Sequence, residues 1–193
     1  MQDTGAPAVA REILAFWFGP TDVARAEWFR KDAAFDDEIR RRFGACVEQA
    51  LAGELGDWAA TPQGALARIL LLDQFTRNLF RDTPRAFQGD ALALAAAREM
   101  VDAGHERVLT PRQRAFVYLP FEHAEDRAMQ AQAMRLFGKL AAEHPQMQES
   151  LAWAAKHEVI IARFGRFPHR NLQLGRVSTE QERAFLQGPD ASF

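Results

Sequence analysis

Apolar residues recur at three- and four-residue intervals along the chain, and no stretch alternates in twos over a run rich in Val, Ile or Thr. That pattern predicts an all-α protein. In "PAVAREILAFWFG" Ile13, Phe16 and Trp17 share one face, with Pro7 near the first helical position and Gly19 at the stop. "FDDEIRRRF" sets Asp36, Asp37 and Glu38 four residues before Arg40, Arg41 and Arg42, three ion pairs in the favoured helical order, so this run is expected on a solvated face. Thr61 and Pro62 open the next helix as N-cap and first residue, and "RDTPRAFQGD" ends it. "DALALAAAREMVDAG" closes at Gly104. Thr110 and Pro111 begin a long helix that kinks at Pro120 and runs to about Glu143, and Pro145 separates it from "QMQESLAWAAKHEVIIARFG". "STEQERAFL" starts the last helix with a capping box, either Ser178 with Gln181 or Thr179 with Glu182. Every connection is short, which predicts antiparallel helical hairpins in one domain, residues 1–193, with an N-terminal bundle over 1–109 and stacked hairpins over 110–193 as its halves.

Polar side chains interrupt faces that ought to be apolar. Over Leu66–Arg81 apolar residues cover nearly the whole circumference at about 100° per residue, so this helix is expected to be central and buried. Asp73 and Arg77, an i,i+4 ion pair, fall inside that envelope, and Gln74, Asn78 and Arg81 extend the polar strip. In the next long helix Phe116, Pro120, His123, Arg127, Gln130, Met134 and Phe137 form one stripe whose middle third is polar. A kink at Pro120 frees a carbonyl and makes this a candidate pocket wall, with Glu122, Glu125 and Asp126 placed to orient the His123 imidazole and raise its pKa. His157, in phase with Trp153, Ile160, Ile161 and Phe164, also faces the core. Neither H-E-x-x-H nor the E-x-x-H pairs of di-iron bundles occur, so no metal and no cofactor is assigned.

The connector "RFGRFPHRN" concentrates Arg163, Arg166, His169, Arg170 and Asn171 around Phe164 and Phe167. Gly165 is expected to end the preceding helix in a left-handed conformation and Pro168 to prevent its continuation. No Asp or Glu separates the arginines between Val159 and Val177. Either they fold over Asp73, Glu122, Glu125 and Asp126 and lock the hairpins together, or they leave guanidinium forks for a carboxylate or phosphate ligand.

Composition narrows the classes of function. A chain that is 48% hydrophobic can bury a full core, and a net charge of -2 leaves no basic excess for binding nucleic acid. Arginine supplies 21 of the 24 basic residues, a bias that a GC-rich genome accounts for and that discounts arguments from arginine alone. No apolar run, Ile69 to Leu72 among them, approaches the roughly 20 residues of a membrane span. The single Cys46 excludes an internal disulfide, and no terminal stretch has the form of a signal peptide, so a cytoplasmic location is expected. Four dispersed tryptophans fit within one core, which points to a monomer or weak dimer.

"LLDQFTRNLFR", "FVYLPFEHAED" and "HEVIIARFGRFPHRNLQLGRVSTEQERAFL" together resemble the uncharacterised bacterial family known as domain of unknown function 924. The resemblance runs from "ILAFWFG" to Leu186 and implies a tetratricopeptide-like, right-handed helical array, with no established activity, cofactor or substrate. The family's signature positions fall on Asp73, Gln74, Arg77, Asn78, Arg81, Tyr118, Pro120, His123, Glu125, His157, Arg163, Gly165, Arg166, Pro168, His169, Arg170 and Asn171. Two functions follow as expectations. One is a polar pocket, with Arg77, Arg81, His123, Arg127, Arg166 and Arg170, that binds a small anion and uses His123 as acid or base. The other is a scaffold that takes a peptide or partner helix in a groove, its internal charges being structural.

Overall fold

The computed structural model describes residues 5–20, 23–28 and 30–188. Their periodicity becomes nine α-helical segments: α1 (Ala8–Phe18), α2 (Ala33–Leu51), α3 (Pro62–Leu70), α4 (Thr76–Leu79), α5 (Asp90–Asp102), α6 (Pro111–Glu122), α7 (Arg127–Glu143), α8 (Gln148–Phe164) and α9 (Glu180–Leu186). No strand occurs among the described residues, and the protein is all-α. The chain divides into two compact units, Met1–Arg81 with Arg85–Pro120, and Asp82–Pro84 with Phe121–Phe193.

The first unit is built on α3, which packs against α1 and α5. Thr61 caps it by accepting the Gly64 N–H, and Pro62 occupies its first turn. Around it Trp17 stacks on Trp28 and meets Phe116 edge to face, with ring centres 5.9 and 5.7 Å apart. Between α3 and α4, Leu71–Phe75 widen into a single π-helical turn. Such a turn leaves carbonyls poorly covered by the helix's own N–H groups. Side chains cover them here: Thr76 Oγ1 donates to Leu72 O at 2.8 Å, and Arg77 Nη1 donates to Asp73 O at 2.5 Å. Gly89 passes so close to this turn that a Cβ would stand 2.1 Å from Leu72 O, backbone against backbone, so no larger residue fits.

The polar strip of this helix lies in the first unit, and its partners differ from expectation. Asp73 is buried and pairs with Arg77 at 3.2 Å, as the spacing predicts, and also accepts Gln74 Nε2 at 2.6 Å. Arg77 is shared with Asp90 at 2.9 Å. Burial works against the Arg77 charge, but Asp73 and Asp90 outweigh it and hold its pKa above the ordinary value. Asn78 and Arg81 serve a different acid, Asp36, which accepts Asn78 Nδ2 at 2.6 Å and Arg81 Nε at 2.5 Å. Asp36 therefore does not pair with Arg40 on a solvated face. It is in phase with Ile39, Phe43 and Val47 and is buried with them, while Arg40 turns to Asp37 and Arg41 to Glu38 at i,i+3 spacing.

In the second unit α7 packs along α8, joined by the short turn Pro145–Met147. The expected continuous helix from Pro111 to Glu143 does not form. Pro120 is accommodated within α6, which stops at Glu122, and Asp126 starts α7 afresh by accepting the Met129 N–H at 2.9 Å. The buried Gln130 answers the carbonyls exposed by this stop, donating from Nε2 to Glu122 O at 2.7 Å and Ala124 O at 2.8 Å. Ile160, Ile161 and Phe167 form an apolar cluster flanked by Phe164 and Phe185. Gly165 ends α8 at φ 70°, in the left-handed conformation its position predicts.

The connector after α8 is tied down by ion pairs within this unit. Arg166 grips Glu182 through Nε at 2.6 Å and Nη2 at 2.8 Å, and Glu182 also completes the capping box of α9 with Thr179. Arg176 grips Glu125 in the same two-pronged way at 2.5 and 2.9 Å, and the Phe167 N–H donates to Glu125 at 2.7 Å. Burial alone raises a carboxyl pKa; Arg176 and the Phe167 N–H outweigh it and hold Glu125 low. Hydrogen bonds from Arg166 lead the causes that bring Glu182 down to about 2.

Two stability experiments follow. Because Arg77 keeps Asp90, Asp73→Ala alone is expected to cost about 1–3 kcal/mol, and the double change Asp73→Ala, Asp90→Ala about 3–5 kcal/mol, since only the latter strands the guanidinium. Equal losses in denaturant melts of the two variants contradict the shared pair. Glu182 has a folded pKa below its ordinary value of 4.5, so its contribution is full above that pH and is lost as pH falls towards about 2. Arg166→Ala is expected to lower the melting temperature at neutral pH and to flatten this acid limb; an unchanged limb contradicts the assignment.

Candidate functional site

Stopping α6 at Glu122 changes what the second unit presents. A straight helix would carry His123 and Arg127 along one buried stripe. Instead His123 stands half-buried in the turn, while Arg127 is exposed at the first position of α7, donating to Ala162 O at 2.9 Å. The break thus places the last residue of α6 and the turn residue beside α8.

One ligand-type atom from each of Glu122, His123 and His157 lies within 4.8 Å of the other two. Glu122 and His157 are buried and His123 is half-buried. Nδ1 of His157 is 2.9 Å from Trp153 O and 3.1 Å from Glu122 Oε1. Both neighbours are acceptors, so Nδ1 carries the proton and Nε2 keeps the lone pair. Glu122 thus stands against His157, with His123 beside them. The His157 pKa moves down, to about 3: burial is the largest cause, followed by His123, while the Trp153 carbonyl opposes the shift and Arg170 and His169 add to it. His157 stays neutral across the physiological range.

The connector supplies the remaining wall. Phe167 is fully buried and meets the His157 ring edge to face at 5.4 Å. His169 tilts against Phe167 at 5.6 Å, and the buried Arg170 lays its guanidinium 4.5 Å from the same ring. One phenylalanine thus carries His157, His169 and Arg170 on its faces and edges. Asn171, also buried, donates to Ser178 Oγ at 3.0 Å and accepts Arg176 Nε at 2.9 Å, which places it in the connector's own bracing. Arg163 is exposed over the ring of Phe164.

The sequence-derived residues therefore separate into groups. Asp73, Gln74, Arg77, Asn78 and Arg81 belong to the first unit and are engaged there with Asp36, Asp73 and Asp90. Glu125 and Arg166 are held in ion pairs of the second unit. His157, His169 and Arg170 meet the Phe167 ring, and Glu122 and His123 cluster with His157. Sequence reasoning passed over Arg176 and Glu182 as partners. The acid-free arginine stretch and the capping-box position signal each of them, but their pairings span 51 and 16 residues and no local pattern fixes them.

Among the described residues no helix is long and apolar enough to cross a membrane. The family model for "Bacterial protein of unknown function (DUF924)" matches residues 13–190. A solved structure of a protein of unknown function from Agrobacterium tumefaciens, ATU0120, is similar to the chain at 41% identity and a TM-score of 0.84, covering 96% of this chain and 99% of that one. No curated protein matches. The chain belongs to the bacterial DUF924 family of proteins of unknown function.

Proposed function

We propose that the second unit binds a small anionic molecule at the corner formed by His123, His157, His169 and Arg170, with His123 as the group that carries a proton to or from it. The observation that supports this most is the gathering of Arg170, His169 and His157 on Phe167, next to a histidine that is only half-buried. The Arg170 guanidinium lies 4.5 Å from the centre of the Phe167 ring, and a guanidinium is the side-chain group best suited to carboxylate and phosphate. His157 is oriented by Glu122 and Trp153, so it supplies a fixed polar contact, while His123 has the exposure that proton exchange requires. Arg166 and Arg176 fall outside this role, because each already grips a carboxylate.

Leu172 and Val177, 89% and 86% exposed, favour the second reading, a peptide-binding scaffold, since they offer apolar contact on the same connector.

Phosphate or a dicarboxylate such as malonate is expected to raise the melting temperature beyond the effect of sodium chloride at matched ionic strength. A ligand at a hundredfold excess over Kd stabilises by about 2.7 kcal/mol. That amounts to roughly 5–10 °C for a chain of this size. His123→Ala and Arg170→Lys are expected to lose that excess while keeping most of their own stability. A shift no larger than that of sodium chloride, or one retained by both variants, contradicts the anion site and leaves the scaffold reading in its place.

A further inference from the structure

The same corner holds a carboxylate, and that is awkward for an anion site. Glu122 stands 3.1 Å from His157 and is buried, so an anion brought against the histidines meets carboxyl oxygens in a poorly solvated place. A cation between the two removes the conflict. We infer that Glu122, His123 and His157 form a site for a divalent transition metal such as zinc, which holds the anionic ligand at an open coordination position. The inference rests on the reading of this corner as an anion site and replaces the proton-carrying role of His123, whose lone pair the metal takes.

The donor set fits that class of metal. Two imidazoles and one carboxylate suit zinc and its first-row neighbours rather than magnesium or calcium, which prefer oxygen, and three protein ligands leave a fourth position open. The Trp153 carbonyl accepts from Nδ1 of His157, which fixes the ring and leaves Nε2 as its donor atom, the arrangement in which metal-bound histidines are commonly held. With bonds of about 2.1 Å, tetrahedral ligand atoms are about 3.4 Å apart. One ligand-type atom from each residue lies within 4.8 Å of the other two, so the donors close by at most about 1.4 Å on an ion. His123 is the residue able to do this, since it sits in the turn between two helices and is half-buried, whereas Glu122 and His157 are buried in α6 and α8. One carboxylate against a divalent ion leaves a net positive charge, which the anion completes.

The test uses full-length protein treated with a chelator and dialysed into an anion-poor zwitterionic buffer. Zinc is titrated by calorimetry, and cobalt(II) by its visible absorption, which reports tetrahedral coordination. One equivalent of each is expected to bind, with affinity lowered at least about tenfold in His123→Ala and in Glu122→Gln. His105→Ala, which alters a histidine of the other unit, is expected to bind as wild type does. Glu122 is buried and its variant is the more prone to misfold; His123→Ala, altering a half-buried turn residue, keeps the test decisive. Absence of saturable binding, or full affinity in His123→Ala, overturns the inference. The two proposals separate cleanly: a phosphate shift that persists in chelated protein without zinc binding removes the metal and leaves the anion site, whereas zinc binding without any phosphate effect does the reverse.

Discussion

A helix that stops in the interior must do something with its last carbonyls, and the second unit depends on how Gln130 answers those that follow Pro120. Its amide donates to Glu122 O and Ala124 O, while Asp126 caps the helix that restarts. Together they make an internal chain break tolerable, where uncovered carbonyls would each cost on the order of a hydrogen bond. Glu122 then ends one helix, His123 leaves the helical path, and both come to face His157 from α8. Remove the break and His123 returns to a helical stripe, away from that encounter.

The same economy of polar groups runs through both units. Asp36 receives Asn78 and Arg81; Asp73 receives Gln74 and Arg77; Glu125 receives Arg176 and a backbone N–H; Glu182 receives Arg166 and its own cap. A carboxylate taken out of water is costly unless it is met in this way. These networks brace helices, and the π-helical turn at Leu71–Phe75 shows the logic at the level of the backbone, where Thr76 and Arg77 cover carbonyls that the widened turn exposes. Two of the arginines crowded into "RFGRFPHRN" and its continuation are accordingly fasteners. Arg170 lies over Phe167, whose ring also meets His157 and His169.

Much of this was legible in the sequence wherever the relevant signal was local. The 3.6-residue period marks α3 and its continuation as central and places Asp73 and His157 on buried faces; Thr61, Gly165 and the Thr179–Glu182 box mark helix ends because their chemistry is confined to one turn. Asp36 was open to the same phase argument, being in register with Ile39, Phe43 and Val47, but its spacing to Arg40 offered a competing explanation. The end of α6 was obscured because proline is compatible with a helix when its surroundings absorb the lost hydrogen bond. The N-cap signal that decides the matter is Asp126 ahead of "RAMQAQAM". Partners such as Arg176 and Glu125, 51 residues apart, lie beyond any pattern of period or capping, because they are set by how α8 returns against α7.

If the break after Glu122 assembles a ligand site, anomalous diffraction from crystals grown with zinc will show one strong peak about 2.0–2.2 Å from atoms of Glu122, His123 and His157, with His123 drawn inward and an anion or water at the fourth position. A map without a peak there, with Glu122 and His157 keeping their direct contact and His123 turned to solvent, would contradict it.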